Sequence, residues 1–239
     1  MNKKVLIIED DRDIIDLIAI HLNDLGIELD WAVDGVEGLK KALSSDYQLI
    51  ILDLMLPELD GIEICKRIRE KNKALPILML TSKSDEMDKI LGLELGANDY
   101  VTKPFSIREL IARIKANLRS IDAVKKELIE PDDRNELAYD DLYINLEKRK
   151  VMLAGTKIDL TAKEFDLLSL FALHPGRSYT REELLNTVWG YQFVGYDHTV
   201  NSHINRLRSK IEDNPADPKF IKTVWGIGYR FAEHEELGA

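Results

Sequence analysis

Polar side chains follow the apolar strand-like runs in the first half of the chain. The run "KVLIIE" leads into Glu9 and Asp10, and later runs end at Asp53, Thr81 and Lys103. In an open parallel sheet, ligands collect outside the carboxyl ends of the strands. Carboxylates gathered there stay ionised together only beside a cation, and an oxygen-rich cluster favours Mg²⁺. The pattern therefore predicts a metal and phosphoryl site in which Asp53 is the nucleophile that forms an acyl phosphate.

The elements that position these residues alternate between strand and helix. The strand-like runs are "KVLIIE", "ELDWAV", "QLIILD", "PILMLT" and "DYVTK". The helix-like segments are Asp13–Leu25, Gly35–Leu43, Ile62–Lys71, Glu86–Leu95 and Ile107–Arg119. Strands that alternate with helices form parallel sheets covered on both faces. Residues 1–120 are therefore predicted to form a doubly wound, five-stranded α/β domain.

The second half follows a different plan. Residues 121–136 are highly charged and lack periodicity, which is typical of a linker. Alternating residues then predict a small antiparallel sheet, with turns at 140–141, 147–148 and 155–156. Two helices follow that begin with capping boxes, Thr161 with Glu164 and Thr180 with Glu183. A third helix and a hairpin near Gly226 complete an α+β domain over 137–232, and residues 233–239 form a tail.

The third helix of the second half, "DHTVNSHINRLRSKIE", carries a basic stripe. No acid occurs from Thr199 to Ile211. Asn and Arg side chains can read adenine and guanine edges, and Lys can hold phosphates. The alternative is an amphipathic helix whose polar face is simply solvated. His198 and His203 are weak candidates for metal ligands, because no further set of ligand residues accompanies them. The candidate DNA-binding residues of this helix are Asn201, Ser202, His203, Asn205, Arg206, Arg208 and Lys210.

Composition narrows the classes of protein further. The 239 residues carry a net charge of −10, with −6 on residues 1–122 and −4 on 123–239, so nucleic-acid binding must depend on a local stripe. No apolar run is long enough to span a membrane, and the start of the chain does not resemble a signal peptide. The single cysteine, Cys65, suits a reducing cytoplasm. A cytoplasmic, soluble protein is expected.

The first half resembles the receiver domain of two-component response regulators through "IIEDD", "LDLMLPELDG", "MLTSK" and "DYVTKPF". The resemblance implies a flavodoxin-like fold and phosphorylation of Asp53 by a sensor histidine kinase. It also implies Mg²⁺ (or Mn²⁺) binding, and a lysine that pairs with the phosphoryl group before a cis bond to Pro104. The implied metal site comprises Asp10, Asp53, the backbone carbonyl of Met55 and, through water, Glu9; the implied phosphoryl-binding and switch residues are Lys103, Thr81, Ser82 and Tyr100.

The same resemblance implies a dimer surface that phosphorylation favours, made by the fourth helix, fifth strand and fifth helix. Lys89 is expected to pair with Glu109, and Asp99 with Arg113, across the dimer. Alternating charges on a solvated face are the alternative. The residues of this surface are Lys89, Glu94, Asp99, Arg108, Glu109 and Arg113.

The second half resembles the winged-helix effector domain of the OmpR/PhoB subfamily through "LTAKEFDLLSLF", "YTREELLNTVWG", "HTVNSHINRLRSKIE" and "FIKTVWGIGYRF". The third helix is then expected in the major groove and the hairpin wing near a minor groove, with Lys222 and Arg230 available for phosphates. Trp225 stands where some relatives have arginine. The loop over residues 189–197 is expected to touch neighbouring molecules or RNA polymerase. The chain would be a transcription regulator that dimerises on phosphorylation and binds direct-repeat promoter sites.

Three other functions compete with this interpretation. A haloacid-dehalogenase-like phosphatase would need a second acid two residues after the nucleophile, where this chain has Met55. A nucleotide-binding flavodoxin-like or Rossmann protein would need a glycine-rich phosphate loop, which "EDDRD" does not provide. A receiver whose output domain binds protein or RNA is opposed by the third helix and the wing. The chain is therefore predicted not to be an enzyme.

Overall fold

The protein divides into two compact units, Met1–Leu118 and Arg119–Ala239. The computed structural model describes residues 3–81, 93, 95–118, 135–190 and 197–237. Most of the predicted helix Glu86–Leu95 and of the predicted linker 121–136 lies outside these residues. Within the described ranges, no helix has the length and apolar character needed to cross a membrane.

The first unit is built on one parallel sheet of five strands. These are β1 (Lys3–Ile8), β2 (Ile27–Ala32), β3 (Leu49–Asp53), β4 (Ile77–Thr81) and β5 (Asp99–Thr102). Their order is β2-β1-β3-β4-β5, with every neighbouring pair parallel. Strands β3 and β4 are buried along their whole length, as strands covered by helices on both faces must be. The predicted doubly wound sheet is confirmed.

Four described helices flank this sheet: α1 (Arg12–Asn23), α2 (Gly35–Ser44), α3 (Gly61–Lys71) and α4 (Ile107–Leu118). An aspartate caps each of the first three helices through its side chain, namely Asp11, Asp34 and Asp60. Buried side chains of α1 and α4 share one apolar cluster with β1, β3, β4 and β5. The described strand ends therefore stand on a close-packed core.

The second unit begins with an antiparallel sheet of four strands in the order β6-β7-β8-β9. The strands are β6 (Glu136–Tyr139), β7 (Leu142–Asn145), β8 (Lys150–Leu153) and β9 (Thr156–Ile158). Positive φ angles at Asp140, Arg149, Ala154 and Gly155 mark the turns between them. The predicted meander is confirmed.

Three helices and a second small sheet complete this unit. Helix α5 spans Ala162–Leu173, α6 spans Arg181–Leu184 and continues as a π-helical turn over Leu185–Trp189, and α7 spans Asp197–Ile211. Both predicted capping boxes are present. Strands β11 (Ile221–Val224) and β12 (Gly228–Phe231) form the hairpin, and β10 (Ser178–Thr180) pairs with β12. The hairpin turns at Gly226, whose φ is 76°.

Candidate functional sites

Three carboxylates meet at the carboxyl end of the parallel sheet. Glu9 and Asp10 directly follow β1, and Asp53 ends the adjacent strand β3, in which Leu52 is paired with Ile8. One oxygen from each carboxylate lies within 4.8 Å of the other two. Glu9 is fully buried and Asp53 is 4% exposed, whereas Asp10 is exposed. The predicted clustering of the three acids is therefore present.

Lys103 holds the two buried carboxylates together. Its Nζ donates hydrogen bonds of 2.8 Å to both oxygens of Glu9 and to Oδ2 of Asp53. Its backbone N–H donates to the carbonyl of Thr81, and the peptide bond to Pro104 is cis, as expected. Nζ is thus placed where it can neutralise charge on either acid.

Burial and mutual repulsion shape the protonation of this cluster. Burial, with repulsion from Asp53 adding to it and Lys103 opposing it, raises the pKa of Glu9 to about 7. Burial by itself would lower the pKa of Lys103, but its hydrogen bonds to Asp53 and Glu9 outweigh that effect and raise it. One cation therefore faces two acids, and a further positive charge would be favourable there.

The donor set fits a divalent cation of the Mg²⁺ type. Carboxylate oxygens on Glu9, Asp10 and Asp53 are hard ligands that lie within 4.8 Å of one another, and a cation among them would favour the charged form of the buried Glu9. The Met55 N–H donates to Oδ1 of Asp53 at 3.2 Å, so the Met55 peptide lies beside the cluster. The exposed Asp10 gives the site an open side.

Close backbone packing positions the loop that follows Asp53. Gly61, at the start of α3, donates its N–H to the carbonyl of Leu54. A Cβ atom at Gly61 would overlap the carbonyl oxygen of Asp53, and one at Gly35 would overlap the carbonyl oxygen of Leu59. Glycine at these two positions therefore allows the loop to pack against the neighbouring helices.

The other predicted switch residues are only partly described. Thr81 ends β4 and is 1% exposed, and Tyr100 on β5 is 4% exposed. The Tyr100 ring is therefore already inside the domain, whereas the resemblance implies that it swings inward on activation. Ser82 lies outside the described residues.

The predicted dimer pair Asp99–Arg113 is an internal contact in this structure. Nη1 of Arg113 lies 2.9 Å from both carboxylate oxygens of Asp99, and both side chains are fully buried. Arg113 also bonds to Glu109 one turn earlier on α4. The expectation that Asp99 and Arg113 pair across a dimer is corrected, because β5 and α4 bring them together within one chain. Arg108 is exposed, and Lys89 and Glu94 lie outside the described residues.

Helix α7 buries more of its surface than its apolar stripe suggests. Ser202 is 5% exposed, His203 is fully buried and Arg208 is 8% exposed. The His203 ring is hydrogen-bonded to the Thr199 carbonyl and packs edge-on against the Trp189 ring. The Arg208 guanidinium donates hydrogen bonds to the Ile221 carbonyl. The prediction that these three side chains face DNA is wrong for this structure, because α7 packs against neighbours on more than one side.

Two other cations of α7 share a buried carboxylate on α5. Glu164 is fully buried, with Arg206 Nη2 at 2.5 Å and Lys210 Nζ at 2.6 Å from its two oxygens. Burial alone would raise the pKa of Glu164, but the two cations outweigh it and lower the pKa to about 2. Arg206 and Lys210 retain side-chain exposures of 11% and 30%. The positive charge of the basic stripe on α7 is therefore partly neutralised by an acid of the same domain, Glu164.

The wing is tied to α7 through Asn201. Oδ1 of Asn201 accepts hydrogen bonds of 2.9 Å from Arg181 Nε and from the Tyr229 hydroxyl on β12. The guanidinium groups of Arg181 and Arg208 lie 5.1 and 5.5 Å from the centre of the Tyr229 ring. Asn201 therefore connects the helix, the wing and α6.

The remaining wing residues differ in exposure. Lys222 donates to the Pro218 carbonyl, and Arg230 makes a two-point ion pair with Glu236. Trp225, at the tip of the hairpin, is 91% exposed.

Comparisons with known proteins match both units. The family described as "Response regulator receiver domain" matches residues 5–115, and "Transcriptional regulatory protein, C terminal" matches residues 155–231. Among solved structures, a mutant of RitR has a TM-score of 0.75 at 29% identity, and the alignment covers 97% of this chain and 100% of that one. The response regulator DrrB, a Thermotoga maritima OmpR/PhoB homolog, has a TM-score of 0.51 at 34% identity, with 98% and 100% covered.

A curated relative aligns with almost the whole chain. It is the alkaline phosphatase synthesis transcriptional regulatory protein PhoP of Bacillus subtilis (strain 168), which is 46% identical over 235 residues, 98% of each chain. The chain belongs to the OmpR/PhoB response regulators. This response regulator is therefore a phosphorylation-dependent, DNA-binding transcription regulator and not an enzyme. Membership implies a sensor kinase and promoter DNA as its partners.

Sequence reasoning missed one residue of the response regulator's DNA-binding unit. Glu164 was interpreted only as half of a capping box, yet its second role is to pair with Arg206 and Lys210 on α7. The available signal was the presence of two acids, Glu164 and Asp166, in the largely apolar segment "LTAKEFDLLSLF", because an acid that becomes buried requires a cation.

Proposed function

We propose that Asp53 is the phosphoacceptor of this response regulator. Its position at the end of β3, beside Lys103 and two further carboxylates, is the observation that supports the assignment. A carboxylate oxygen of Asp53 attacks the phosphorus of a phosphohistidine on the sensor kinase. The P–N bond breaks, the histidine nitrogen leaves with the bonding electrons, and an acyl phosphate forms on Asp53.

The surrounding residues assist this transfer electrostatically. Lys103 Nζ, which bonds to both Asp53 and Glu9, can move toward the phosphoryl oxygens as negative charge accumulates on Asp53. Glu9, Asp10, Asp53 and the Met55 carbonyl would hold a Mg²⁺ or Mn²⁺ ion, which would neutralise the added charge. Thr81 at the end of β4 and Ser82, the next residue in the sequence, are proposed to line the phosphoryl site, with Tyr100 behind them.

Phosphorylation is proposed to favour a homodimer through the receiver. Exposed Arg108 and half-buried Glu109 on α4 are proposed to lie on this surface. The sequence prediction adds Lys89 and Glu94, which lie outside the described residues. Individual rim ion pairs are worth about 0–1 kcal/mol, so they set register more than affinity. Dimerisation raises the local concentration of the second DNA-binding unit, which favours adjacent direct-repeat promoter sites.

The DNA-binding unit is proposed to place α7 in the major groove and the wing near a minor groove. Asn205 is exposed on α7, and Lys210, Lys222 and Arg230 are accessible enough to exchange their internal partners for phosphates. The loop after Trp189 is proposed to contact RNA polymerase. We propose that the protein acts in the cytoplasm, where a transcription regulator meets promoter DNA.

The test treats the full chain with a small phosphodonor and Mg²⁺. Intact mass spectrometry should show one added phosphoryl group on the wild-type chain, and light scattering should show a shift toward dimer. Asp53→Asn should abolish both changes, whereas Asp16→Asn, at an exposed acid on α1, should leave them intact. Phosphorylation of Asp53→Asn at the wild-type level would overturn the assignment.

A further inference from the structure

Two residues of α7 are exposed among those that the structure describes between 198 and 211. They are Asn205 and Ser209. Being four residues apart, they lie on the same stripe of the helix. The Ser209 hydroxyl donates to the Arg206 carbonyl of its own helix at 2.7 Å. The side-chain amide of Asn205 makes no hydrogen bond with any residue that the structure describes, so both its donor and its acceptor are available.

The arginines and the lysine of the same helix, unlike Asn205, are engaged in contacts within the domain. Arg206, with a side-chain exposure of 11%, and Lys210 are paired with the buried carboxylate of Glu164. Arg208 is buried and donates to the Ile221 carbonyl and the Thr223 hydroxyl. Guanine is read mainly by arginine or lysine forks that reach its O6 and N7 atoms. The cations of α7 would have to break internal contacts to do this.

We propose that Asn205 is a specificity-determining residue that reads an adenine in each half-site of the promoter. An asparagine amide donates to adenine N7 and accepts from the adenine N6 amino group, so both of its polar atoms match this one base edge. The inference rests on the proposed entry of α7 into the major groove. It adds the base that is recognised: the position that Asn205 contacts in each half-site is adenine, not guanine.

The test selects DNA sites from a random pool with full-length chain, small phosphodonor and Mg²⁺ at one stated salt concentration. The wild-type chain should enrich a repeated site with one strongly preferred adenine in each half. Asn205→Ala should reduce the preference for adenine at that position by about 5- to 150-fold, the range of one good bidentate contact. Asn205→Arg should shift that position toward guanine. Ser209→Ala, on the same exposed stripe, should keep the wild-type site.

The outcomes separate this inference from the proposed function. Asn205 is exposed, so its variants should retain the wild-type unfolding midpoint. If Asn205→Ala enriches the same site with the same adenine preference, the inference is wrong while DNA binding stands. If the wild-type chain enriches no site, the proposed DNA recognition fails and takes this inference with it.

Discussion

At the scale of single residues, the receiver site depends on one lysine that balances two buried acids. Lys103 Nζ contacts Glu9 and Asp53 at 2.8 Å, and its own side chain is only 18% exposed. Removing one partner from a buried ion pair leaves a charge with neither water nor a counter-ion. A metal ion bound at this site would therefore act on the same pair of acids as the lysine.

Replacing Lys103 should make the receiver unit depend on metal. We expect Lys103→Met to lower its free energy of unfolding by about 3 kcal/mol in EDTA. Adding Mg²⁺ should raise the unfolding midpoint of this variant more than that of the wild type, because the ion no longer competes with a lysine. Calorimetry with and without Mg²⁺ measures both effects. Lys40→Met, at an exposed lysine on α2, is the control, and equal Mg²⁺ shifts in all three proteins would contradict the account.

At the scale of elements, a small polar node connects the wing to α7. The Tyr229 hydroxyl on β12 and Arg181 on α6 both donate to Oδ1 of Asn201 on α7. Asn201 was predicted to contact DNA, and in the structure its carbonyl oxygen is used to hold the wing. Hydrogen bonds among Asn201, Tyr229 and Arg181 thereby connect α7 to the wing, the two elements that are proposed to contact DNA.

Removing the hydroxyl of Tyr229 should loosen the wing without removing its ring contacts. Tyr229→Phe should cost about 1 kcal/mol of stability, the value of one internal hydrogen bond. In a double-mutant cycle with Asn201→Ala, measured by urea unfolding, the two changes should not be additive. Tyr143→Phe, in the four-stranded sheet, should be additive with Asn201→Ala. Full additivity of Tyr229→Phe would show that the node contributes nothing.

At the scale of the whole molecule, a chain with a net charge of −10 must bind a polyanion. Lowering the pH would reduce this negative charge, but it also affects the stability of the DNA-binding unit, which buries His203 and Glu164. Burial, reinforced by the nearby Arg206, lowers the pKa of His203 to about 3. Glu164, whose pKa is about 2, titrates only at lower pH.

The DNA-binding unit should lose stability as the pH falls from 7 to 5. His203 stays neutral in the folded state while the unfolded chain binds a proton near pH 6.5. The contribution of the buried His203 to the free energy of unfolding is therefore complete above pH 6.5 and declines as the pH falls toward 3. The expected loss at pH 5 is about 2 kcal/mol.

The fluorescence of Trp189, which packs against His203, reports the unfolding of this unit in a chain with Trp31→Phe and Trp225→Phe. His203→Gln should reduce the pH dependence of the stability of this unit between pH 7 and pH 5. His174→Gln, at a half-buried histidine, should remove much less of it. An unchanged slope in His203→Gln would refute the assignment.

Local sequence patterns were sufficient to predict much of the fold of this protein. Apolar runs, helical spacing and capping residues predicted the five-stranded parallel sheet, the antiparallel meander, both capping boxes and the C-terminal hairpin, because these features depend on residues close together in the chain. The meeting of Glu9, Asp53 and Lys103 was also predictable, since parallel strands end at one edge of a sheet.

Tertiary structure alone decided which polar side chains face outward. Helical spacing marks one apolar stripe on α7, but contacts with α5, the wing and the turn before residue 190 bury His203 and Arg208 as well. The pairing of Glu164 with Arg206 and of Asp99 with Arg113 joins residues 42 and 14 positions apart. A buried charge needs whichever counter-charge the fold brings near it, and that partner is a property of packing rather than of sequence spacing.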